Sequence, residues 1–236
     1  MGETRAVVLL SGGLDSATTL AWAKARGWRC WALTVDYGQR HAAELACAGA
    51  QAEAQGVEAH RVVKLEFDFG ESSVLTRREA AVPNATDPAD IGGTIPPTYV
   101  PARNTILLSL ALAWAEILRA DAILLGANAV DYSGYPDCRP EYLAAYERMA
   151  LLATKHGLEN GGPRLATPLI DSKKSEIIRL SSDLGVDLGR TFSCYDPSPD
   201  GRPCTRCEAC VLRARGFEEA GLADPLLRPL SEERSE

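Results

Sequence analysis

Residues 6–16 read Ala6-Val7-Val8-Leu9-Leu10-Ser11-Gly12-Gly13-Leu14-Asp15-Ser16, and the order of chemistry within them decides the fold. Unbroken apolar character from Ala6 to Leu10, with no polar alternation, marks a strand covered on both faces, as in a parallel sheet. Ser11-Gly12-Gly13 then turns the chain into a segment, Asp15 to Arg26, whose Ala and Leu residues fall at helical spacing. Glycines let a backbone approach a ligand closely, and a helix start directs unpaired N–H groups and a positive dipole end at it. Strand, glycine turn and helix together make a backbone cradle for phosphate. The plainer alternative is an ordinary strand-to-helix turn with Asp15 as an N-terminal charge. No Gly-Lys-Ser/Thr follows, so the loop is not a Walker A, and it is not Gly-x-Gly-x-x-Gly.

The alternation continues outward. Strands are predicted over Arg5–Leu10, Arg29–Val35, His60–Leu65 and Asp121–Gly126, with helices over Asp15–Arg26, His41–Gln55 and Arg103–Arg119. This order gives an α/β fold, a doubly wound parallel sheet with its ligand at the carboxyl ends of the strands. Between Ala81 and Pro101 periodicity breaks down, with five prolines and Gly92-Gly93, the mark of a lid or binding loop. Asp171 or Ser172 is expected to cap a helix reaching Leu184, with Arg179 near its end suiting the dipole. A last helix is expected from Glu208 to Gly216, and Ser231 to Glu236 reads as a polar tail. The expected division is residues 1–190 as a nucleotide-binding domain including loop 81–101, 191–220 as a cysteine-rich segment with a helix, and 221–236 as the tail.

With 236 residues, 46% hydrophobic and 24% charged, the chain is long enough to bury a full core and polar enough to stay soluble. A net charge of −7 repels a phosphate backbone, which argues against a nucleic-acid substrate. Arg202, Arg206, Arg213 and Arg215 read as a solvated face. The apolar stretch Ile106–Leu118 contains Ser109 and Glu116 and falls short of the roughly 20 residues a bilayer needs, so no membrane is expected. No secretory pattern opens the chain, and Ala6 stands where a myristoylation motif needs Ser or Thr, so a cytoplasmic location is expected.

Cysteine usage points the same way. Of seven cysteines, Cys194, Cys204, Cys207 and Cys210 follow Cys-x9-Cys-x2-Cys-x2-Cys, a spacing that lets four thiolates converge on one ion. Such a closed site is structural; zinc is the expected metal, and an iron–sulfur cluster is the alternative. Cys30 and Cys47 read as buried thiols, and Cys138 stands apart.

The string Ser11-Gly12-Gly13-Leu14-Asp15-Ser16 resembles the pyrophosphate loop of the N-type ATP pyrophosphatases, which adenylate a substrate oxygen. Further strings resemble the 7-cyano-7-deazaguanine synthases: Val35-Asp36-Tyr37-Gly38-Gln39-Arg40-His41, Val100-Pro101-Ala102-Arg103-Asn104, Asp131-Tyr132-Ser133-Gly134-Tyr135-Pro136-Asp137-Cys138-Arg139-Pro140-Glu141, and Thr167-Pro168-Leu169-Ile170 through Lys174. The likeness runs from about Ala6 to Phe217. Two positions depart from it: Ala102 and Thr205 stand where relatives usually carry glycine.

The resemblance implies an adenine nucleotide alpha-hydrolase type of fold, ATP with Mg²⁺, one structural Zn²⁺, a homodimer, and conversion of 7-carboxy-7-deazaguanine and ammonia to the nitrile by two successive adenylations. ATP contacts are expected from Leu10, Ser11, Gly12, Gly13, Leu14, Asp15, Ser16, Ala17, Thr18, Thr19 and Leu20. Gln39, Arg40 and His41 follow the second strand, at the same sheet edge. Asp15, Lys174 and Arg103 are the expected catalytic groups, Lys174 neutralising phosphate charge. Asp131 or Asp137 suits the donor edge of the base, Tyr132 or Tyr135 its face, and Arg103 or Arg139 its carboxylate, with Asn104, Ser133 and Gly134 in the same strings. Rival readings are a tRNA thiolase or lysidine-type enzyme, a ligase stopping at the amide, and a nucleotide-sensing module without turnover.

Overall fold

A computed structural model describes residues 3–38, 42–65, 73–76, 80–84, 95–130 and 134–227. In chain order the elements are β1 (Arg5–Leu9), α1 (Leu14–Lys24), β2 (Arg29–Asp36), α2 (Ala42–Ala54), β3 (Ala59–Lys64), α3 (Arg103–Leu118), β4 (Ala122–Leu124), α4 (Pro140–Ala153), α5 (Lys155–Asn160), β5 (Arg164–Ala166), α6 (Lys174–Asp183) and α7 (Glu208–Ala220).

All strands run parallel in the order β3-β2-β1-β4-β5, with Val7 opposite Trp31 on one side and Ile123 on the other. Burial on both faces explains the unbroken apolar run of β1. Val7 and Leu9 enter a core shared with Leu108, Leu112 and Trp114 of α3, while Ala6, Val8 and Leu10 enter another with Leu20 of α1 and Ala48 of α2. Because strand order reverses at β1, the crevice beyond its carboxyl end is where a doubly wound sheet binds ligand. The loop from Leu10 to Gly13 lies there.

The predicted strands and the first three helices agree with the structure to within a few residues, except that β4 is three residues long. Three elements were not foreseen. β5 is too short to show a period, and α4 and α5 follow a motif-rich string whose Pro140, at the first position of α4, starts the helix. The last helix runs past Gly216 to Ala220 and stops at Gly221, whose φ is 73°. Neither Asp171 nor Ser172 caps α6; Lys173 does, its N–H held by Glu176 Oε2 at 2.8 Å. Arg179 serves no dipole in its own last turn and instead donates to the Glu219 carbonyl of α7. The tail 231–236 and the middle of the proline-rich loop, 85–94, lie outside the described residues. None of the described helices is long and apolar enough to cross a membrane.

Both departures from the resemblance fall on left-handed backbone: Ala102 has φ 53°, before α3, and Thr205 has φ 60°, between two cysteines. A side chain there costs about 1–2 kcal/mol that glycine avoids. Glycine's greater freedom in the unfolded chain offsets part of this. Ala102→Gly and Thr205→Gly are each expected to stabilise by about 0.5 kcal/mol, read as a shifted urea midpoint at constant slope; a destabilisation of that size in both would contradict the strain.

Candidate active site

Hydrogen bonds to β2 and within the loop itself fix its shape. Leu10 N–H donates to Leu33 O (2.9 Å), and Thr34 Oγ1 of β2 donates to Leu10 O (2.6 Å). Ser11 N–H donates to Ser16 Oγ (3.2 Å), which in turn donates to Gly13 O (3.0 Å). Gly12, φ 87°, is pressed so closely on α2 that a Cβ would lie 2.2 Å from Glu44 O. Glycine alone fits both demands. Gly13 is the N-cap of α1 and no side chain caps the helix, so its first-turn N–H groups face the crevice for a ligand.

Lys174, the first residue of α6, reaches back across this loop. Its Nζ lies 2.9 and 2.8 Å from the two oxygens of Asp15, in a pair whose side chains are 10% and 19% exposed. Gly216 of α7 makes room for it, since a Cβ there would come within 2.5 Å of Lys174 Cγ.

One cavity of about 240 Å³ joins these parts. It is lined by Leu10, Ser11, Gly13, Leu14, Asp15 and Ser16 of the loop, by Lys174, and by Arg103, Asn104 and Tyr135 from two of the strings singled out in the sequence. Arg103 Nη1 lies 3.5 Å from Tyr37 Oη, and although burial opposes its charge, the guanidinium is held above its ordinary value among Tyr37, Tyr195 and Tyr135. Burial pushes the Tyr135 phenol up to about 12, and its hydroxyl pairs with Thr98 Oγ1 at 2.6 Å.

Other expected residues sit elsewhere. Ala17, Thr18, Thr19 and Leu20 are buried inside the fold; Thr18 bonds Leu14 O and Ser181, and Leu20 is core, because only the first turn of α1 faces the crevice. Gly12 supports the loop from behind. Asp137 caps α3, accepting Asn104 N–H at 3.0 Å, and Asn104 Nδ2 bonds Asp137 O and Cys138 Sγ. Arg139 is exposed at the start of α4 and, like Gly134 and Asp137, does not line the cavity. Gln39, Arg40, His41, Asp131, Tyr132 and Ser133 lie outside the described residues. Arg213, expected on a solvated face, is buried, paired with Asp224 at 2.7 Å and bonded to Leu188 O and Thr191 Oγ1. Arg202, Arg206 and Arg215 do carry exposed pairs.

Glu44, Asn128 and Tyr195 are among the lining residues that escaped the sequence reading. Each follows from position: the first turn of a helix behind β2, the carboxyl end of β4, and the residue after a cysteine. Burial lifts the Glu44 carboxyl to about 7, against the pull of Arg103.

The sulfur atoms of Cys194, Cys204, Cys207 and Cys210 all lie within 4.8 Å of one another, with 3.9 Å between Cys204 and Cys210. Backbone N–H groups of Asp196 and Cys204 point at Cys194 Sγ (3.4 and 3.2 Å), that of Cys207 at Cys204 Sγ (3.3 Å), and that of Tyr195 at Cys207 Sγ (3.4 Å). Donors aimed at sulfur favour thiolates, and sulfurs at this spacing suit a tetrahedral metal with bonds of about 2.3 Å. The cluster forms part of the cavity's frame. Phe192 N–H donates to Gly12 O at 3.0 Å, and Phe192, Ser193, Tyr195 and Ala209 line the cavity. Residues 82 and 84, from the described start of the proline-rich loop, pack on or pair with this segment.

A doubly wound parallel sheet, a glycine cradle at its switch point and a lysine–carboxylate pair beside it define a site built to take phosphate groups at a helix N-terminus. The chain belongs to the family of the queuosine biosynthesis protein QueC, whose model matches residues 5–221. It is 57% identical over 221 residues to a 7-cyano-7-deazaguanine synthase of Thiobacillus denitrificans, covering 93% of this chain and 96% of that one. A protein of the same name from Stutzerimonas stutzeri is 53% identical over 225 residues, 95% and 98% of the two chains. Among solved structures, an NMN synthetase from Francisella tularensis is a distant likeness, with 18% identity and a TM-score of 0.47 over 97% of this chain and 90% of that one.

Proposed function

We propose that this chain converts 7-carboxy-7-deazaguanine, ammonia and ATP to 7-cyano-7-deazaguanine by adenylating first the carboxylate and then the amide oxygen. The observation that carries the reading is the convergence of the phosphate cradle, the Lys174–Asp15 pair and Arg103 on one cavity, in a chain of this family. The cradle of α1 takes the phosphates, and Lys174 balances the charge that builds up as pyrophosphate leaves. Arg103 holds the substrate carboxylate by a forked contact, and Tyr135 lies against the base. The donor edge of the base is assigned to Asp131, since Asp137 caps α3 and does not line the cavity. Gln39, Arg40 and His41 are assigned to ATP.

Asp15 would be the residue to hold a Mg²⁺ arriving with ATP, and the ion would disperse phosphate charge there. The four cysteines fit Zn²⁺, held as a structural ion with no open position for chemistry. Convergence of all four sulfurs leaves none of them for sulfur transfer, and Cys138, which does line the cavity, is lifted to about 11 by burial. That chemistry disfavours a tRNA thiolase. A homodimer working in the cytoplasm on free small molecules, with no nucleic acid bound, completes the proposal.

Exchange of labelled pyrophosphate into ATP tests it: exchange dependent on 7-carboxy-7-deazaguanine is expected, and exchange indifferent to that acid would refute the substrate.

A further inference from the structure

Among the described residues two carboxylates line the cavity, and their circumstances differ. Asp15 gives both oxygens to Lys174. Glu44 stands on the first turn of α2, on the far side of the loop, where its backbone presses on Gly12 and its side chain shares the wall with Tyr37 and Arg103. The proposed reaction needs a proton acceptor there, because its nitrogen must shed every proton it brings. We propose that Glu44 is that acceptor, a catalytic base facing the reacting nitrogen; this rests on the function proposed above.

In the first step the lone pair of ammonia forms the C–N bond at the adenylated carboxyl carbon. One N–H proton passes to Glu44, and the C–O bond to AMP breaks with its electron pair leaving on AMP. In the second, the amide oxygen has displaced pyrophosphate from another ATP. The O-adenylated amide then gives up its two N–H protons as C≡N forms, and AMP again departs with the C–O pair. Glu44 takes these protons in turn and releases each to water.

The surrounding groups leave no equal rival among the described residues of the cavity. Arg103 from α3 and Lys174 from α6 are cations, and Arg213 from α7 is locked to Asp224. Tyr37 beyond β2, Tyr135 before α4, Cys138 and, one turn along α2, Cys47 are all raised chiefly by burial and stay protonated near neutrality. Glu44, raised by burial to about 7, is the group matched to a neutral working pH.

The test is Glu44→Gln, followed in two assays across pH 5.5–9. Substrate-dependent pyrophosphate exchange is expected to stay within about 3-fold of wild type, while nitrile formation from the amide falls about 100-fold, the lower end for loss of a general base. Wild-type nitrile formation should rise with pH through about 7 and level off, and the variant should lose that limb. A folding control follows from the same proton. A carboxyl raised to about 7 binds a proton in the fold that the unfolded chain releases, so its ionisation weakens the fold as pH rises from about 4.5 through 7. Glu44→Gln should therefore melt higher than wild type at pH 8 and alongside it at pH 4.5. Equal loss of exchange and nitrile formation would make Glu44 a binding group and overturn the proposal, as would an unchanged rate and limb. Wild-type exchange indifferent to the acid would instead remove the function itself, and the base with it.

Discussion

Lys174→Met is expected to lower the rate of AMP formation about 1000-fold. The ammonium lies against both oxygens of Asp15 beside the first turn of α1, with only 10% of its side chain exposed, so it meets phosphate charge in a poorly solvated place. One donor aimed at charge developing in a transition state is worth about 10²–10³ in rate, and a full positive charge stands at the upper end. The same change strands Asp15. Breaking a buried pair costs about 3–5 kcal/mol, and the 19% exposure of Asp15 brings the expected loss to about 2 kcal/mol. Adding Asp15→Asn should restore most of that stability while leaving activity absent. Single-turnover AMP release and urea unfolding read the two effects separately; recovery of activity in the double variant would remove Lys174 from catalysis.

Loss of the metal from the cysteine cluster is expected to abolish adenylation through the shape of the cavity, with no chemistry of the ion involved. Four thiols crowded within 4.8 Å need a cation, and a structural zinc contributes on the order of 10 kcal/mol to local folding. Phe192, Ser193, Tyr195 and Ala209 form part of the cavity wall, and Phe192 N–H holds Gly12 O. Cys207→Ala should therefore lose the metal, become protease-sensitive between residues 194 and 210, and lose pyrophosphate exchange. Elemental analysis of the wild type should give one zinc per chain, and iron with visible absorbance would mean a cluster. Full exchange activity in a metal-free Cys207→Ala protein would uncouple cluster from cavity.

Where local chemistry dictates conformation, the sequence was readable. The apolar run of β1 needs cover on two faces, Ser11-Gly12-Gly13 needs a strand before it and a helix after it, and the Cys-x2-Cys-x2-Cys spacing closes on itself. Lys174 was legible only through a family string; nothing within its own helix announces a partner 159 residues away. Glu44 was missed because its signal is a tertiary one, burial behind Gly12 beside Arg103. Arg213 misled for the complementary reason, since a basic residue near a helix end reads as solvated until Asp224 folds back on it. Ala17 to Leu20 do not line the cavity, because a motif continues along the chain while a helix turns its next residues inward. The glycine positions now held by Ala102 and Thr205 were noticed as departures, and positive φ explains them.

The central claim is that one cavity adenylates the same substrate twice. It is tested most directly by incubating purified protein with ATP, Mg²⁺, ammonium and 7-carboxy-7-deazaguanine and counting base product and AMP together by mass spectrometry. The account predicts the nitrile, with about two AMP formed per molecule, because each departing oxygen needs its own adenylation. Amide as the sole product, with about one AMP each, would contradict it.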